Sequence, residues 1–331
     1  MPIGCSSVPE PLSYLPQVPA REETCSVRGV RHRVLRWGPE RVEPVLLLHG
    51  FQDSAETFQF LVDALPRDWA FAAPDWRGFG GSDGNDGAYW FPDYLADLDQ
   101  LATVLAPNGR LRIVGHSMGG NVAALYAGVR PDRVAWLMSL EGFGLPRVSA
   151  EQAPDRYARW LDELVEGVTR NRYASLAQFT EIVRRRNPRV DAARAAYMAR
   201  AWSRPVVLPD GDAAAPADQD AAAGQAATDH TAVDQAVELR HDPWHRLINP
   251  TVYRRDETEA CWRRVTAPVL FVLGEHSEFR GRLLADGTDQ YFQAIFPRIT
   301  VATLRGVGHM MHLEDPALVA RELCDWLAGG P

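Results

Sequence analysis

The segment that most constrains the fold of this chain is Arg112 to Gly120, in which an apolar run leads into Gly-x-Ser-x-Gly. An Ala-rich helical pattern follows at once, so the segment predicts a strand, a sharp turn and a helix. Gly115 and Gly119 let the strand and the helix pass close together, because glycine has no Cβ. The turn forces Ser117 into a strained backbone conformation at the start of the helix. There the free N–H groups and the helix dipole favour developing negative charge.

The composition is that of an ordinary globular protein. The chain has 331 residues, 46% of them hydrophobic and 24% charged, with a net charge of −8. This length suits one large domain, or one domain with a lid. No apolar run reaches about 18 residues, so we expect no transmembrane helix and no membrane partner. The densest basic patch, Arg184 to Arg186, lies in an amphipathic helical pattern and indicates a solvated face rather than a nucleic-acid partner.

The N-terminal residues and the cysteines give indications of the cellular compartment. The first twenty residues lack the basic start and apolar core of a signal peptide, which favours a cytoplasmic protein. The absence of lysine beside abundant Ala, Gly and Pro suggests a GC-rich bacterial genome. None of the four cysteines forms a Cys-x-x-Cys pair or a zinc-ligand spacing with histidine; they are Cys5, Cys25, Cys261 and Cys324. We therefore expect a reduced protein with no metal site and no cofactor.

Apolar runs alternate with helical patterns along most of the chain. Continuous apolar strands are predicted at 45–48, 69–73, 134–140, 268–274 and 299–304, with helices at 58–65, 92–105 and after 315. Residues 26–37 read as an opening strand or hairpin. Such runs fit strands buried on both faces, so the pattern predicts an α/β fold with a mostly parallel central sheet flanked by helices. The site of such a sheet lies at the carboxyl ends of its strands.

The alternation of strand and helix patterns stops between 146 and 262, where apolar residues recur only at helical spacing. We interpret this stretch as a helical cap inserted into the core. The resulting domains are an N-terminal extension (1–25), a first core part (26–145), the cap (146–262) and a second core part (263–331). Within the cap, residues 209–235 hold almost no large apolar side chain, so we expect a mobile loop there.

A serine hydroxyl is a weak nucleophile near neutral pH, so it needs a general base and an acid that orients that base. His309 is the best candidate base, because it follows a predicted strand and lies between Gly308 and apolar residues near the end of the chain. We interpret His49 and His116 as bracing residues beside the serine turn, and His312 as a structural neighbour of the base loop.

Four segments together resemble the α/β-hydrolase fold family. They are His49-Gly50-Phe51, Asp75-Trp76-Arg77-Gly78-Phe79-Gly80-Gly81-Ser82, Gly115-His116-Ser117-Met118-Gly119-Gly120 and Gly308-His309-Met310-Met311-His312-Leu313-Glu314. The amino-acid sequences of Tyr89 to Tyr94 and of Leu140 to Gly144 are similar to those of the serine hydrolase-like branch of that family. Asp75 and Arg77 belong to a motif that is structural in this family.

The resemblance implies the roles of the site residues. Ser117 corresponds to the nucleophile and His309 to the base. The backbone N–H groups of Phe51 and Met118 correspond to the oxyanion hole, where one donor can contribute ~3 kcal/mol of transition-state stabilisation.

The acid departs from the commonest pattern of the family. Three residues after Gly274, where the family usually carries aspartate, the chain has Ser277. Some members place the acid after the strand that follows the helix beginning at the nucleophile turn, and there this chain has Glu141. We favour Glu141; Glu275, Glu278 and the absence of a working acid stay open as alternatives.

The identity of the nucleophile limits the reaction. Ser117 disfavours the haloalkane dehalogenases and epoxide hydrolases of this fold, for which an aspartate is expected at the position of the nucleophile. It favours acyl transfer to water from a carboxylic ester, a thioester, a lactone or a carbon–carbon bond next to a ketone. Phe143, Trp76 and Trp90 suggest a small apolar substrate. The alternative is a catalytically weak member that binds a ligand or a partner, and Ser277 is the one feature in its favour.

Overall fold

The computed structural model describes residues 13–85, 87–207 and 235–331. Apart from its last residue, the predicted mobile loop at 209–235 lies outside these ranges. The strands of the described part are, in chain order, β1 (Arg21–Val27), β2 (Val30–Trp37), β3 (Val45–Leu48), β4 (Phe71–Pro74), β5 (Leu111–His116), β6 (Val134–Leu140), β7 (Arg172–Tyr173), β8 (Ser203–Pro205), β9 (Val237–Leu239), β10 (Val269–Gly274) and β11 (Ile299–Leu304).

Eight of these strands form the central sheet, in the order β1-β2-β4-β3-β5-β6-β10-β11. The β1–β2 and β2–β4 pairs are antiparallel, and the pairs from β4 to β11 are parallel. The predicted α/β class with a mostly parallel sheet is therefore confirmed. The apolar run of β3 explains why this part of the sheet is parallel and covered. Its four residues are at most 2% exposed, and Leu46 and Leu48 pack on one face while Val45 and Leu47 pack on the other.

Helices cover both faces of the sheet. In chain order the helices of the described part are α1 (Gln59–Ala64), α2 (Phe91–Leu105), α3 (Met118–Val129), α4 (Ala153–Glu166), α5 (Leu176–Arg186), α6 (Ala192–Trp202), α7 (Arg255–Trp262), α8 (Glu278–Gly281), α9 (Asp289–Ile295), α10 (Met311–Glu314) and α11 (Pro316–Ala328). Apolar residues of α2 and α3 pack on one face, and those of α1 and α11 on the other. Across the described ranges, we find no helix with the length and apolarity that a bilayer crossing requires.

The predicted boundary between extension and core at residue 25 is wrong. Strand β1 begins at Arg21 and pairs along its whole length with β2. The signal was hidden because Arg21 to Thr24 is mostly charged and exposed, so no apolar alternation marks the strand. Charged side chains of this kind are common on edge strands, where they discourage pairing with other chains.

The inserted segment is not purely helical, so the expectation that it lacks strands is wrong as well. It contains α4, α5 and α6, in agreement with the helical spacing of its apolar residues. Strands β7, β9 and β8 add a small antiparallel sheet, with β9 in the middle. Strands of two or three residues are too short for a period-2 pattern to be detected in a sequence.

The topology brings the singled-out residues to one edge of the sheet. Strands β3, β5, β6, β10 and β11 are consecutive neighbours and run parallel. Their carboxyl ends therefore meet at the same edge. The segments that follow them carry Phe51, Ser117, Glu141, Ser277 and His309, in that order.

Candidate active site

Ser117 occupies a strained turn between β5 and α3. Its φ is 50° and its ψ is −114°, a conformation that residues with a Cβ rarely adopt. The Ser117 N–H donates a 2.8 Å hydrogen bond to the Leu140 carbonyl, which ties the turn to the end of β6. Strain of this kind persists only where the surroundings enforce it, and it is concentrated at functional sites.

Two glycines permit this turn, as the sequence suggests. A Cβ on Gly119 would lie 2.1 Å from the Leu48 carbonyl oxygen, and a Cβ on Gly115 would lie 2.7 Å from the Gly119 carbonyl oxygen. Both separations are far below van der Waals contact. Helix α3 can therefore approach β3 and β5 this closely only with glycine at both positions.

The predicted oxyanion donors flank Ser117. A Cβ on Gly50 would lie 3.3 Å from Ser117 Cβ, so the segment after β3 packs directly on the turn. Phe51 is the next residue of that segment, and its side chain is 48% exposed. Met118 is the first residue of α3, and its N–H has no acceptor inside the helix.

The base candidate contacts a buried carboxylate. His309 Nδ1 lies 3.0 Å from Glu141 Oε2, with the Glu141 side chain fully buried and that of His309 20% exposed. Glu141 Oε1 accepts a 2.8 Å hydrogen bond from the Gly274 N–H, and the Ser277 hydroxyl donates to Oε2. A carboxylate can only accept, so His309 Nδ1 carries the proton and the lone pair of the neutral ring lies on Nε2. A ring with its lone pair on Nε2 can accept a proton from a serine hydroxyl.

The competing carboxylates lie elsewhere. Glu275 is 49% exposed, accepts a hydrogen bond from the Gly306 N–H and pairs with the neighbouring His276. Glu278 is exposed at the start of α8. Among the described residues, neither carboxylate has a hydrogen bond or an ion pair with His309. The geometry thus favours Glu141, and it gives Ser277 a role that the sequence did not reveal, as a donor to that carboxylate.

His49 braces the segment that holds the predicted oxyanion donor. Its Nδ1–H donates to the Gly50 carbonyl at 2.8 Å, and its Nε2 accepts from the Trp76 N–H at 3.0 Å. Burial lowers the pKa of His49 to about 4, so the ring is neutral, as this acceptor role requires. Trp76 is fully buried and donates its indole N–H to the His49 carbonyl, so it does not line a substrate pocket.

Two aromatic side chains give the site an apolar rim. The Phe279 ring lies 4.3 Å from the His309 ring, measured between centroids, and Phe279 is 41% exposed. Phe51 contributes a second exposed ring beside the serine turn. Sequence reasoning missed Phe279, because it belongs to no motif and its neighbourhood depends on where the segment after β10 folds. Phe143, which the sequence suggested for a pocket, is buried in the core.

A second polar cluster lies behind the His309 loop. His116 Nε2 lies 2.9 Å from the His309 carbonyl oxygen, and His312 Nε2 lies 2.7 Å from the Thr57 hydroxyl. Burial lowers the pKa of His116 far below its usual range and that of His312 to about 3. Burial also raises the pKa of Asp53 to about 7. His116 and His312 thus contact the base loop and its surroundings, in line with the bracing roles expected from the sequence.

His245 links the inserted segment to the serine site through aromatic packing. Its ring stacks on Phe79 at 3.9 Å and on Tyr89 at 3.6 Å between centroids, and it contacts the edge of the Phe51 ring. Burial lowers the pKa of His245 to about 3, with the nearby His241 as the next largest cause. The unfolded chain instead protonates this histidine near its ordinary pKa of about 6.5.

We expect His245 to make the fold acid-sensitive. The neutral ring stabilises the fold fully above about pH 6.5, and this stabilisation is lost as the pH falls towards 3. The loss in free energy of unfolding reaches about 2 kcal/mol by about pH 5. His245→Gln should therefore lose less free energy of unfolding between neutral pH and about pH 5 than the wild type does, as urea titrations can measure. His276→Gln, which changes a half-exposed histidine, is the control and should keep the wild-type pH dependence. If the free energy of unfolding of His245→Gln depended on pH as that of the wild type does, the assignment of a buried neutral ring would be contradicted.

Comparisons with known proteins bear on the family and the fold. The family model for the alpha/beta hydrolase fold matches residues 43–316. A serine hydrolase-like protein from Danio rerio is 43% identical over 110 residues, and the match covers 33% of this chain and 33% of that relative. The matched stretch thus spans about a third of that relative's length. A serine hydrolase-like protein from Dictyostelium discoideum is 23% identical over 308 residues, covering 90% of this chain and 79% of that protein.

A solved structure matches over nearly the whole chain. The thioesterase domain from the curacin biosynthetic pathway superposes with a TM-score of 0.72 at 20% identity, covering 92% of this chain and 99% of that domain. At this identity the likeness concerns the fold alone. The resemblance that the sequence motifs carry is confirmed by these matches: the chain belongs to the alpha/beta hydrolase fold family and is similar to its serine hydrolase-like members.

Proposed function

We propose that this protein is a serine hydrolase that cleaves a carboxylic ester, or a related acyl bond, of a small apolar substrate. The observation that carries the proposal is the contact between His309 Nδ1 and the buried Glu141 carboxylate, beside the strained turn of Ser117. Two features define this contact: a carboxylate on one ring nitrogen of His309, and a free lone pair on the other. A histidine with a purely structural role needs neither feature. A general base needs both.

The first half of the proposed reaction forms an acyl-enzyme. Ser117 Oγ attacks the carbonyl carbon of the substrate, and its proton passes to His309 Nε2. Glu141 stabilises the imidazolium through Nδ1–H, and the N–H groups of Phe51 and Met118 donate to the oxyanion. Collapse of the tetrahedral intermediate breaks the bond to the leaving group, which takes the proton from His309.

The second half hydrolyses the acyl-enzyme. Water loses a proton to His309 Nε2 as its oxygen attacks the acyl carbon. Collapse of this second intermediate releases the carboxylic acid, and the proton returns to Ser117 Oγ. Each half-reaction thus begins and ends with a neutral His309 and an ionised Glu141.

The rim of the site supports an apolar substrate. Phe279 and Phe51 expose two aromatic rings beside His309 and the serine turn, and contact with an apolar group would remove both from water. The curated relatives are described as serine hydrolase-like and the structural neighbour as a thioesterase, which is consistent with an acyl substrate. We place thioesters and lactones in the same proposal, because both present an acyl carbon to the nucleophile.

The alternative of a binding protein loses its main support. It relied on the missing carboxylate at position 277, whereas the Ser277 hydroxyl donates to Glu141, which itself contacts His309. An assay with p-nitrophenyl esters of increasing acyl length decides between the two functions. The proposal expects turnover of short and medium acyl chains. A folded protein that binds these esters without turnover would favour the binding function instead.

Ser277 should act as a positioning residue for Glu141. A hydrogen bond to a charged group contributes about 1.5–3 kcal/mol, so Ser277→Ala should lower kcat by about 10-fold or more with little change in KM. Ser277→Thr keeps the hydroxyl and should restore most of the rate. Ser26→Ala, on the exposed edge strand, is the matched control. Equal kcat values for Ser277→Ala and the wild type would remove Ser277 from the account.

A further inference from the structure

Three buried side chains behind the His309 loop bring polar atoms close together without a hydrogen bond among them. A potential ligand atom of each of Asp53, His116 and His312 lies within 4.8 Å of those of the other two. Asp53 Oδ2, His116 Nδ1 and His312 Nδ1 are buried and have no hydrogen-bond partner among the described residues. The two imidazole rings lie 4.2 Å apart between centroids. Orphaned buried polar atoms are rare in folded proteins, and three that converge call for a ligand.

The hydrogen bonds of the opposite ring nitrogens leave both Nδ1 atoms available to a ligand. His116 Nε2 faces the His309 carbonyl oxygen, which can only accept, so Nε2 carries the proton and Nδ1 holds a lone pair. His312 Nε2 lies 2.7 Å from the Thr57 hydroxyl, which can accept a hydrogen bond from Nε2–H. In that tautomer His312 Nδ1 holds a lone pair as well.

Asp53 is held in the same manner. Its Oδ1 accepts 2.8 Å hydrogen bonds from the Ser54 N–H and from the indole N–H of Trp202. Its Oδ2 has no donor. The cluster therefore offers two imidazole lone pairs and one carboxylate oxygen, each on a group whose other polar atom is already fixed by a hydrogen bond. This is the arrangement of metal-ligating histidines, which donate their second ring N–H to a carbonyl or another acceptor.

We propose that Asp53, His116 and His312 bind one Zn²⁺ ion. Where all three atoms are acceptors, a water molecule can donate to only two of them, whereas a divalent cation satisfies all three. Two imidazoles and a carboxylate form a common catalytic-type ligand set for zinc, with one further position for water. Zinc bonds to nitrogen and oxygen measure about 2.0–2.2 Å, so the three atoms must draw together as the ion enters.

The ion would connect three parts of the site that are distant in sequence. Asp53 follows the Gly50–Phe51 segment, His116 precedes Ser117, and His312 follows His309. Since His116 also donates to the His309 carbonyl, zinc should hold the base loop against the serine turn. The site is distinct from the proposed triad, because none of its three ligands touches the substrate in the proposed mechanism.

Zinc binding to the full chain tests this proposal. The protein is stripped with a chelator, incubated with Zn²⁺ and passed through gel filtration, and the retained zinc is counted by mass spectrometry. We expect one zinc per chain and a higher Tm in zinc than in chelator. Asp53→Asn and His312→Gln should each lower the affinity at least 100-fold, and Thr57→Val should lower it 10- to 100-fold, as expected for a residue that orients a ligand.

Two controls separate this site from other zinc-binding groups. His276→Gln removes an exposed histidine and should bind zinc as the wild type does. His309→Ala should also retain one zinc, whereas its loss in that variant alone would place the ion on Glu141 and His309 and overturn the proposal. X-ray absorption of the zinc-loaded wild type needs no variant to fold. It should give two imidazoles and oxygen at about 2.0–2.1 Å. Absence of retained zinc, or a spectrum without two imidazoles, would also overturn it.

Discussion

Replacement of Ser117 by alanine is expected to lower kcat for an activated ester by about 10⁶-fold, the loss seen when a triad serine is removed. The reason is the absence of an oxygen that can form the acyl-enzyme, since neither His309 nor the N–H groups of Phe51 and Met118 can replace it. The fold should survive, because alanine keeps the Cβ that already occupies this strained turn. Steady-state kinetics of the purified variant, with circular dichroism to confirm folding, measure the effect.

The control for this substitution is Ser26→Ala, which removes an exposed hydroxyl from the edge strand β1. It should keep the wild-type kcat. A Ser117→Ala variant that retains a substantial part of the wild-type rate would show that the reaction does not pass through this hydroxyl. The acyl-enzyme mechanism would then have to be abandoned.

The second large effect is expected for Glu141→Gln, which should lower kcat by about 10⁴-fold. The Gly274 N–H donates to Glu141 Oε1 and cannot accept, so the oxygen of the glutamine amide should stay at that position. The amide NH₂ then takes the place of Oε2 and donates to His309 Nδ1. The imidazole is forced into the tautomer with its proton on Nε2, which cannot accept a proton from Ser117.

The matched control is Glu275→Gln, which alters the exposed carboxylate that competes for the same role. It should leave kcat near the wild-type value. The reverse result, with a large loss in Glu275→Gln and a retained rate in Glu141→Gln, would transfer the acid to the segment after β10. Both substitutions exchange one carboxylate oxygen for an NH₂ group. A difference in kcat between the two variants therefore reflects the position of the carboxylate and not the kind of substitution.

The parts of this molecule that the sequence predicts well are those set by local patterns. The apolar run of β3 is buried and the strand at 134–140 is mostly buried, as their composition indicates. The strands at 134–140 and 299–304 have the predicted bounds, although the second lies at the sheet edge and only Leu304 in it is buried. The strained turn at Ser117 follows from two glycines at fixed spacing between a strand and a helix. Each of these signals lies within a few residues, so no knowledge of distant contacts is needed.

The parts that the sequence predicts poorly depend on contacts between distant segments. Glu141 was favoured only through the family resemblance, and nothing local to Ser277 indicates that its hydroxyl reaches that carboxylate. Likewise, Asp53, His116 and His312 lie too far apart in sequence to form a recognisable ligand spacing. The edge strand at Arg21 and the short strands of the insertion were missed because their residues carry no apolar alternation.

The measurement that tests the central claim most directly is intact-mass analysis after treatment with a fluorophosphonate. In this reaction Ser117 Oγ bonds to phosphorus, fluoride leaves, and the serine proton passes to His309. The account predicts one adduct on the wild type and none on Ser117→Ala, with slow labelling of Glu141→Gln. A wild type that is folded and stays unlabelled, or a Ser117→Ala variant labelled to the same extent, would contradict the claim that Ser117 is an activated nucleophile.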